Sequence, residues 1–491
     1  MKLKWIFLFF GFVVNLATAG IDDYYELENV PLPGALSMAS KNGTQVDGLD
    51  FFPDGRLAVC FVDGQVYTLK PDTGEWTLFA EGLHTPLGIS VVNDQEIVVC
   101  QRPEVTKLRD VDSDGFADEY EVLSDAFGIS GNYHEFNFGP VRDSSGNFYV
   151  ALGTASSGAG VRHEKRGIFN PLSYMDRMYA CVPYRGWVLQ ISPDGKTIPY
   201  ASGFRTPNGL GFDLEGNLFV TDNQGDWVGT SKMHHVEKGK FYGHAASLLW
   251  REGWEGRPLS RSIEELDSLR TPAAIQFPHG LMSNSPTQPL VDSSNGRFGP
   301  FAGQLFVGEM NKGRIMRVAL ERIDGVLQGM CIPFFDGNGL KRGNNRLEFG
   351  PDGSLWVGHS NHGWAGEKGL QKISWKGKNP FELKSMHLTQ SGFELNFTHP
   401  VDSLNFANVE HFSIKRYSYS YHRGYGSPQR NKEVVKVNSA KLTSNSTVSV
   451  ELEDLKANRV YELQLSRNLQ SNTGIKLINS LAFYTAQKLK K

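Results

Sequence analysis

The chain has 491 residues, 40% of them hydrophobic, enough for a large buried core and too apolar for a disordered protein. Its 50 lysines and arginines against 53 aspartates and glutamates give a formal charge of −3 with no long run of one sign, which argues against a polyanion-binding face and so against nucleic acid as a partner. The 53 glycines and 31 phenylalanines, set among short alternating segments, predict an all-β protein full of tight turns.

In chain order, MKLKWIFLFFGFVVNLATAG joins Lys2 and Lys4 to an apolar stretch and then to Ala17-Thr18-Ala19, the small-residue pattern of a cleavage site. Residues 1–19 read as a signal peptide, which predicts a secreted or periplasmic protein. The alternative is an uncleaved anchor, but the stretch is short for a bilayer, and the mature chain has no segment suited to an integral span. Export permits disulfides, and Cys60, Cys100, Cys181 and Cys331 allow three pairings. Cys60 and Cys100 end two similar strands, "LAVC" and "IVVC", which suits buried free thiols equally.

One pattern then recurs: an apolar stretch, a turn rich in Asp, Asn and Gly, and an alternating strand. It begins at Val46, Leu87, His134, Pro207, Arg297 and Asn344. A second short strand follows most copies, as in "GQVYTLK", "RGWVLQI", "KGRIMRV" and "KGLQKIS". Such hairpins cannot bury both faces alone and must stack on one another. Six copies predict a six-bladed β-propeller over residues 20–378, its ring closed by a strand from the segment before Val46 that contains "ALSMAS". Beyond Lys378 the repeat stops, and alternating strands such as "FSIKRYS", "TVSVEL" and "VYELQLS" predict an immunoglobulin-like or fibronectin-like β-sandwich over residues 379–491. Its Tyr417, Tyr419, Tyr421 and Tyr425 suit either a sugar-binding face or a packed tyrosine ladder.

"DVDSDGFADEYE", residues 110 to 121, has the spacing of a twelve-residue calcium loop. Asp110, Asp112, Asp114 and Asp118 fall at ligand positions, Phe116 offers a carbonyl, Glu121 a bidentate carboxylate, and Gly115 the sharp turn. Its flanks read as strands, so the expectation is a calcium staple on a hairpin; the bland alternative is a solvated acidic turn. Residues just before the inner strands of a propeller line one channel mouth. His134, Arg205, Asn208, Asn345 and Arg346 are expected there, with Lys312 reaching it from a hairpin. Asp222 to Asp226 follow the fourth inner strand and suit a second hard cation.

"GFRTPNGLGFD", "TDNQGD" and "GKFYGH" resemble the corresponding segments of quinoprotein sugar dehydrogenases, the group of soluble glucose and sorbosone dehydrogenases. "LRDVDSDGFADEYE", "NNRLEFGPDGSLWVGHSNHGW" and the tail segments are similar to secreted bacterial proteins of the membrane-bound dehydrogenase type, over nearly the whole mature chain. The resemblance implies a six-bladed propeller using pyrroloquinoline quinone (PQQ) and calcium to oxidise a sugar or a sugar-derived alcohol or aldehyde, with electrons passing to an external acceptor such as a cytochrome. It implies His134 as the base and Arg205 as the cation beside the quinone, with the carbonyls of Gly225 and Asp226 near its calcium. Asn208, Lys312 or its neighbour Asn311, and Arg346 would hold the cofactor. Where those dehydrogenases carry Arg-Asn-Pro-Gln, this chain carries Arg205-Thr206-Pro207-Asn208. The alternatives are a calcium-dependent lactonase-like hydrolase and a non-catalytic glycan-binding or scaffold propeller.

Overall fold

The computed structural model describes residues 20–39, 42–160, 166–174, 177–362 and 365–491; the expected signal peptide, residues 1–19, lies outside them. Among the described residues no helix is long and apolar enough to cross a membrane. The regular structure is almost entirely antiparallel sheet. Six sheets begin with the strands Val46–Phe51, Ile89–Asn93, Asn137–Arg142, Gly209–Phe212, Pro286–Val291 and Asn344–Phe349. Each of these inner strands packs on the next, and the last returns to the first, so the arrangement is of propeller type.

Glycines permit that close approach. A Cβ on Gly88 would overlap the Gly139 carbonyl, and one on Gly211 the Pro289 carbonyl. Between sheets the packing is apolar, as where Phe52, Cys60, Phe79, Ile97 and Val99 join the first two. All four cysteines are buried free thiols, and burial pushes Cys100 and Cys181 up to about 12, which keeps them protonated and inert.

Two expectations need correction. The ring is closed by Tyr25–Val30, "YELENV", which pairs with Gly369–Trp375, whereas "GALSMA" is the short helix Gly34–Ala39. Alternation favours the first as a strand, and Ala, Leu and Met favour the second as a helix. In the fifth sheet the inner strand is Pro286–Val291, upstream of the "RFGPFAG" stretch, which is loop. Its two prolines conceal it, since proline weakens any strand reading.

The C-terminal strands do not form a separate pair of sheets. Leu481–Ala486 pairs with Val326–Asp336, the outer strand of the fifth sheet, and Arg459–Leu465, Phe412–Ser418 and Arg430–Val435 extend that sheet to eight strands. A four-stranded sheet of Leu383–Leu388, Gly392–Phe397, Thr447–Leu452 and Val437–Ser444 faces it. Phe381, Phe393, Phe406, Val450, Leu463 and Tyr484 fill the space between, together with Met330 and Ile332 from the fifth sheet.

Arg346 occupies the middle of the ring. Nε donates to the carbonyls of Asp47 (3.0 Å) and Leu87 (3.1 Å), Nη1 to those of Asn208 (3.0 Å) and Asn345 (2.7 Å), and Nη2 again to Leu87 (2.6 Å). At the far end of the inner strands, Asp50 and Glu348 approach each other. Burial pushes Asp50 up to about 7, and burial with the Asp50 charge raises Glu348 well above the usual range.

Two outcomes are expected. Replacing Arg346 by Met leaves four buried carbonyls short of a donor and lowers unfolding free energy by more than about 3 kcal/mol in denaturant titration, and lysine does not restore it. For Asp50, a raised folded pKa means that its contribution is complete below about pH 3.9 and is lost as pH rises through about 7. The melting temperature therefore falls between pH 5 and 8, and less steeply in Asp50→Asn.

Candidate active site

The segment Phe204 to Asn208 turns into the fourth inner strand, and its conformation is fixed by acids further along the chain. Asp222 accepts the backbone N–H groups of Arg205 (2.9 Å) and Thr206 (2.7 Å), so it acts as a staple for this turn. The Arg205 side chain, nearly buried, donates Nε to Asp226 Oδ1 at 3.0 Å and Nη1 to Thr206 Oγ1 at 3.1 Å. The other Asp226 oxygen lies 3.1 Å from Nε2 of the buried His244. Although burial raises it, Asp226 is held well below the usual carboxylate range by His244 and Arg205.

His134 sits beside this pair. Its Nδ1 lies 2.8 Å from the Thr154 carbonyl. A carbonyl only accepts, so the neutral ring carries its proton on Nδ1 and its lone pair on Nε2. Thr154 in turn donates its N–H (3.0 Å) and hydroxyl (2.9 Å) to the Arg205 carbonyl, tying the two residues together. Burial, and then the Arg205 charge, push His134 down to about 4. At neutral pH it is an uncharged base next to a fixed cation.

The remaining expected residues divide. Among the described residues the side-chain oxygen of Asn208 is buried at the mouth without a partner, while its carbonyl is held by Arg346. Arg346 is fully engaged within the ring, as described above. Lys312 donates to the Gly280 carbonyl at 2.7 Å, and the Asn311 N–H to Glu309 at 2.9 Å. Gly225 does not offer its carbonyl to a cation: the N–H groups of Val228 (3.1 Å) and Gly426 (2.9 Å) occupy it. Gly225 has a different necessity, because a Cβ there would overlap the Arg205 guanidinium. Two amides of this stretch brace neighbouring loops: Asn223 Nδ2 donates to Ser285 Oγ at 2.7 Å and Gln224 Nε2 to the Gly229 carbonyl at 3.2 Å.

The acidic loop lies elsewhere, at the outer hairpin between Val105–Arg109 and Glu119–Ser124. Asp110, Asp112 and Asp118 bring carboxylate oxygens within 4.8 Å of one another. Asp114 instead accepts the Phe116 N–H at 2.8 Å, and Glu121 is drawn to Arg109 and Lys107.

Sequence reasoning missed Thr154 and Arg177, which left no signal beyond ordinary strand and loop residues; His244 ends the "GKFYGH" segment and Tyr425 belongs to the tyrosine set, but neither was placed at this site. The Arg177 guanidinium and the Tyr425 ring meet at 4.3 Å, with Arg205 at 5.4 Å from the same ring.

A domain of unknown function, DUF7133, matches residues 72–252. No curated protein matches the sequence. Among solved structures, an oxidoreductase named a glucose dehydrogenase from Thermus thermophilus is 18% identical, with 71% of this chain and 99% of that chain covered and a TM-score of 0.46. The PQQ-bound aldose sugar dehydrogenase of Streptomyces coelicolor is 16% identical, covering 72% and 98%, with a TM-score of 0.46. The soluble aldose sugar dehydrogenase of Escherichia coli is 14% identical, covering 71% and 99%, with a TM-score of 0.46.

Proposed function

We propose that the chain is an exported oxidoreductase of quinoprotein type that oxidises a sugar or a sugar-derived alcohol or aldehyde and passes electrons to an external acceptor such as a cytochrome. Residues 1–19 are its signal peptide, residues 20–378 a six-bladed propeller with one blade per sheet of the ring, and residues 379–491 a sandwich built onto the fifth blade. The observation that carries the reading is His134: buried, neutral, fixed in one tautomer by Thr154, and adjacent to Arg205.

A quinone suits part of the residue set. The partnerless Asn208 oxygen and the Arg205 guanidinium, whose Nη2 makes no hydrogen bond among the described residues, suit a polar, electron-rich ring; Lys312 and Arg346 are engaged elsewhere. Pyrroloquinoline quinone, when bound, supplies the two-electron acceptor. His134 Nε2 takes the proton of the substrate hydroxyl; burial and the Arg205 charge disfavour the resulting imidazolium, and the Thr154 carbonyl and the Asp226 charge partly offset them. Arg205 opposes negative charge developing on the reacting oxygen. The deeply buried Thr154 and Phe204 beside these groups limit water at the base. A lactonase needs free carboxylates on a metal at the mouth, and Asp226 is already shared by Arg205 and His244. We also assign a structural calcium to Asp110, Asp112 and Asp118.

The test is dye reduction by the mature protein with pyrroloquinoline quinone, calcium and a sugar panel. His134→Ala lowers kcat/KM by about 10² to 10⁴ fold with an unchanged melting temperature. Because the His134 pKa is lowered, the base form persists to low pH: kcat/KM stays level from pH 8 to 6 and falls only as pH approaches about 4. Acid release from lactones without any acceptor sinks the dehydrogenase reading. For the loop, millimolar calcium raises the melting temperature of the wild type by a few degrees and leaves Asp112→Ala unmoved.

A further inference from the structure

The segment between Phe412–Ser418 and Arg430–Val435 reaches back over the site. Gly426 N–H donates to the Gly225 carbonyl (2.9 Å), Ser427 N–H to that of Gly229 (2.7 Å), and Trp227 N–H to that of His422 (3.2 Å). The Tyr421 hydroxyl donates to the Gly243 carbonyl at 2.6 Å, and its ring lies 5.2 Å from that of Trp227. Gly229 leaves room for this chain, since a Cβ there would come within 2.7 Å of the Ser420 carbonyl. These contacts hold Tyr425 opposite Asp226, where its half-exposed ring meets the guanidinium groups of Arg177 and Arg205.

Arg177 is also placed with care. Its carbonyl accepts the N–H (2.7 Å) and hydroxyl (3.0 Å) of Ser157, and the neighbouring Ser156 donates its N–H to Asn132, the same side chain that accepts the His134 N–H. One asparagine therefore sets the spacing between Arg177 and His134. The Arg177 side chain itself is exposed and, among the described residues, has no carboxylate or carbonyl partner; it rests over the Tyr425 ring. A guanidinium resting over an aromatic ring leaves its N–H edge open for a bidentate bond to a carboxylate. The local charge asks for one. Among the described residues the acids bonded at Arg205 are already engaged, Asp226 by the Arg205 side chain and His244, and Asp222 by the Arg205 and Thr206 N–H groups.

We infer that the substrate is a sugar bearing a carboxylate, held by Arg177, with Tyr425 of the C-terminal segment as the positioning residue that orients this arginine. The inference rests on the mouth being the sugar site, as proposed above, and narrows its substrate from sugars in general to sugar acids. Carboxylates of a bound quinone have the same chemistry, so the test separates the two sources.

Isothermal titration of the mature protein compares D-glucuronate with D-glucose, without turnover, and pyrroloquinoline quinone is titrated separately. Glucuronate is expected to bind at least about tenfold more tightly than glucose, the scale of a charge-assisted hydrogen bond. Arg177→Ala removes the preference and leaves quinone affinity unchanged. Tyr425→Ala weakens it, Tyr425→Phe retains it, and in dye reduction Tyr425→Ala raises KM for the sugar acid with little change in kcat. Because Arg177 is exposed, its alanine variant reports on binding without loss of the fold. Equal affinity for the two sugars overturns the inference, as does a quinone affinity that falls in Arg177→Ala while the sugar preference stays. Glucuronate binding without dye reduction leaves this inference standing and removes the quinoprotein reading; equal oxidation of both sugars does the reverse.

Discussion

The constraint on which the molecule depends is the filling of the ring's centre by Arg346. Inner strands packed around an axis point carbonyl groups toward it, and those groups need donors that the strands cannot supply. A single planar side chain supplies them, reaching the backbone of Asp47, Leu87 and Asn208 from its own strand. Its cationic form is opposed by burial and sustained by these carbonyls and by the Asp47 charge. The consequence is direct: with its donors taken up by these carbonyls, Arg346 fills the centre of the ring with protein and is not available to a ligand.

Around Arg205 a second device operates. Asp226 is bonded to Arg205 and His244 at once, and Asp222 holds the backbone from which Arg205 projects. Arg205 is thereby positioned through both its side chain and its main chain. Thr154 extends the same rigidity to His134. A base and a cation held in this way need little reorganisation when charge moves between them, which is the condition under which fixed dipoles and charges act most strongly.

Much of this was legible in the sequence, and the limits were physical. The recurring turns are local: Asp, Asn and Gly within four residues set each hairpin, so the sheets could be read one at a time. The fifth inner strand escaped because Pro286 and Pro289 occupy it, and the closing strand because "YELENV" lies some 340 residues from its partner in Gly369–Trp375. Residue types at the mouth were equally visible, as with His134 and Arg205. What they bond to was not. Gly225 looked like a cation ligand by its neighbours in sequence, yet its carbonyl is claimed by Gly426, two hundred residues away. Arg346 and Lys312 looked like free cations for the same reason.

The most consequential of these distant contacts joins the C-terminal strands to the site. Because Leu481–Ala486 pairs directly with the outer strand of the fifth sheet, the C-terminal strands share a hydrogen-bonded sheet and an apolar core with the ring, and their relative position is set by register. A rigid attachment of this kind allows a loop carried on the far strands to be aimed at a fixed point. The loop from Tyr419 to Pro428 meets the turn around Gly225 with backbone hydrogen bonds as well as side-chain packing, so its placement depends on the course of its chain as well as on its side chains. An attachment that served only as a spacer would have no need of that register. The geometry instead makes the C-terminal strands part of the wall around His134 and Arg205, contributed by the one segment of the chain that does not repeat.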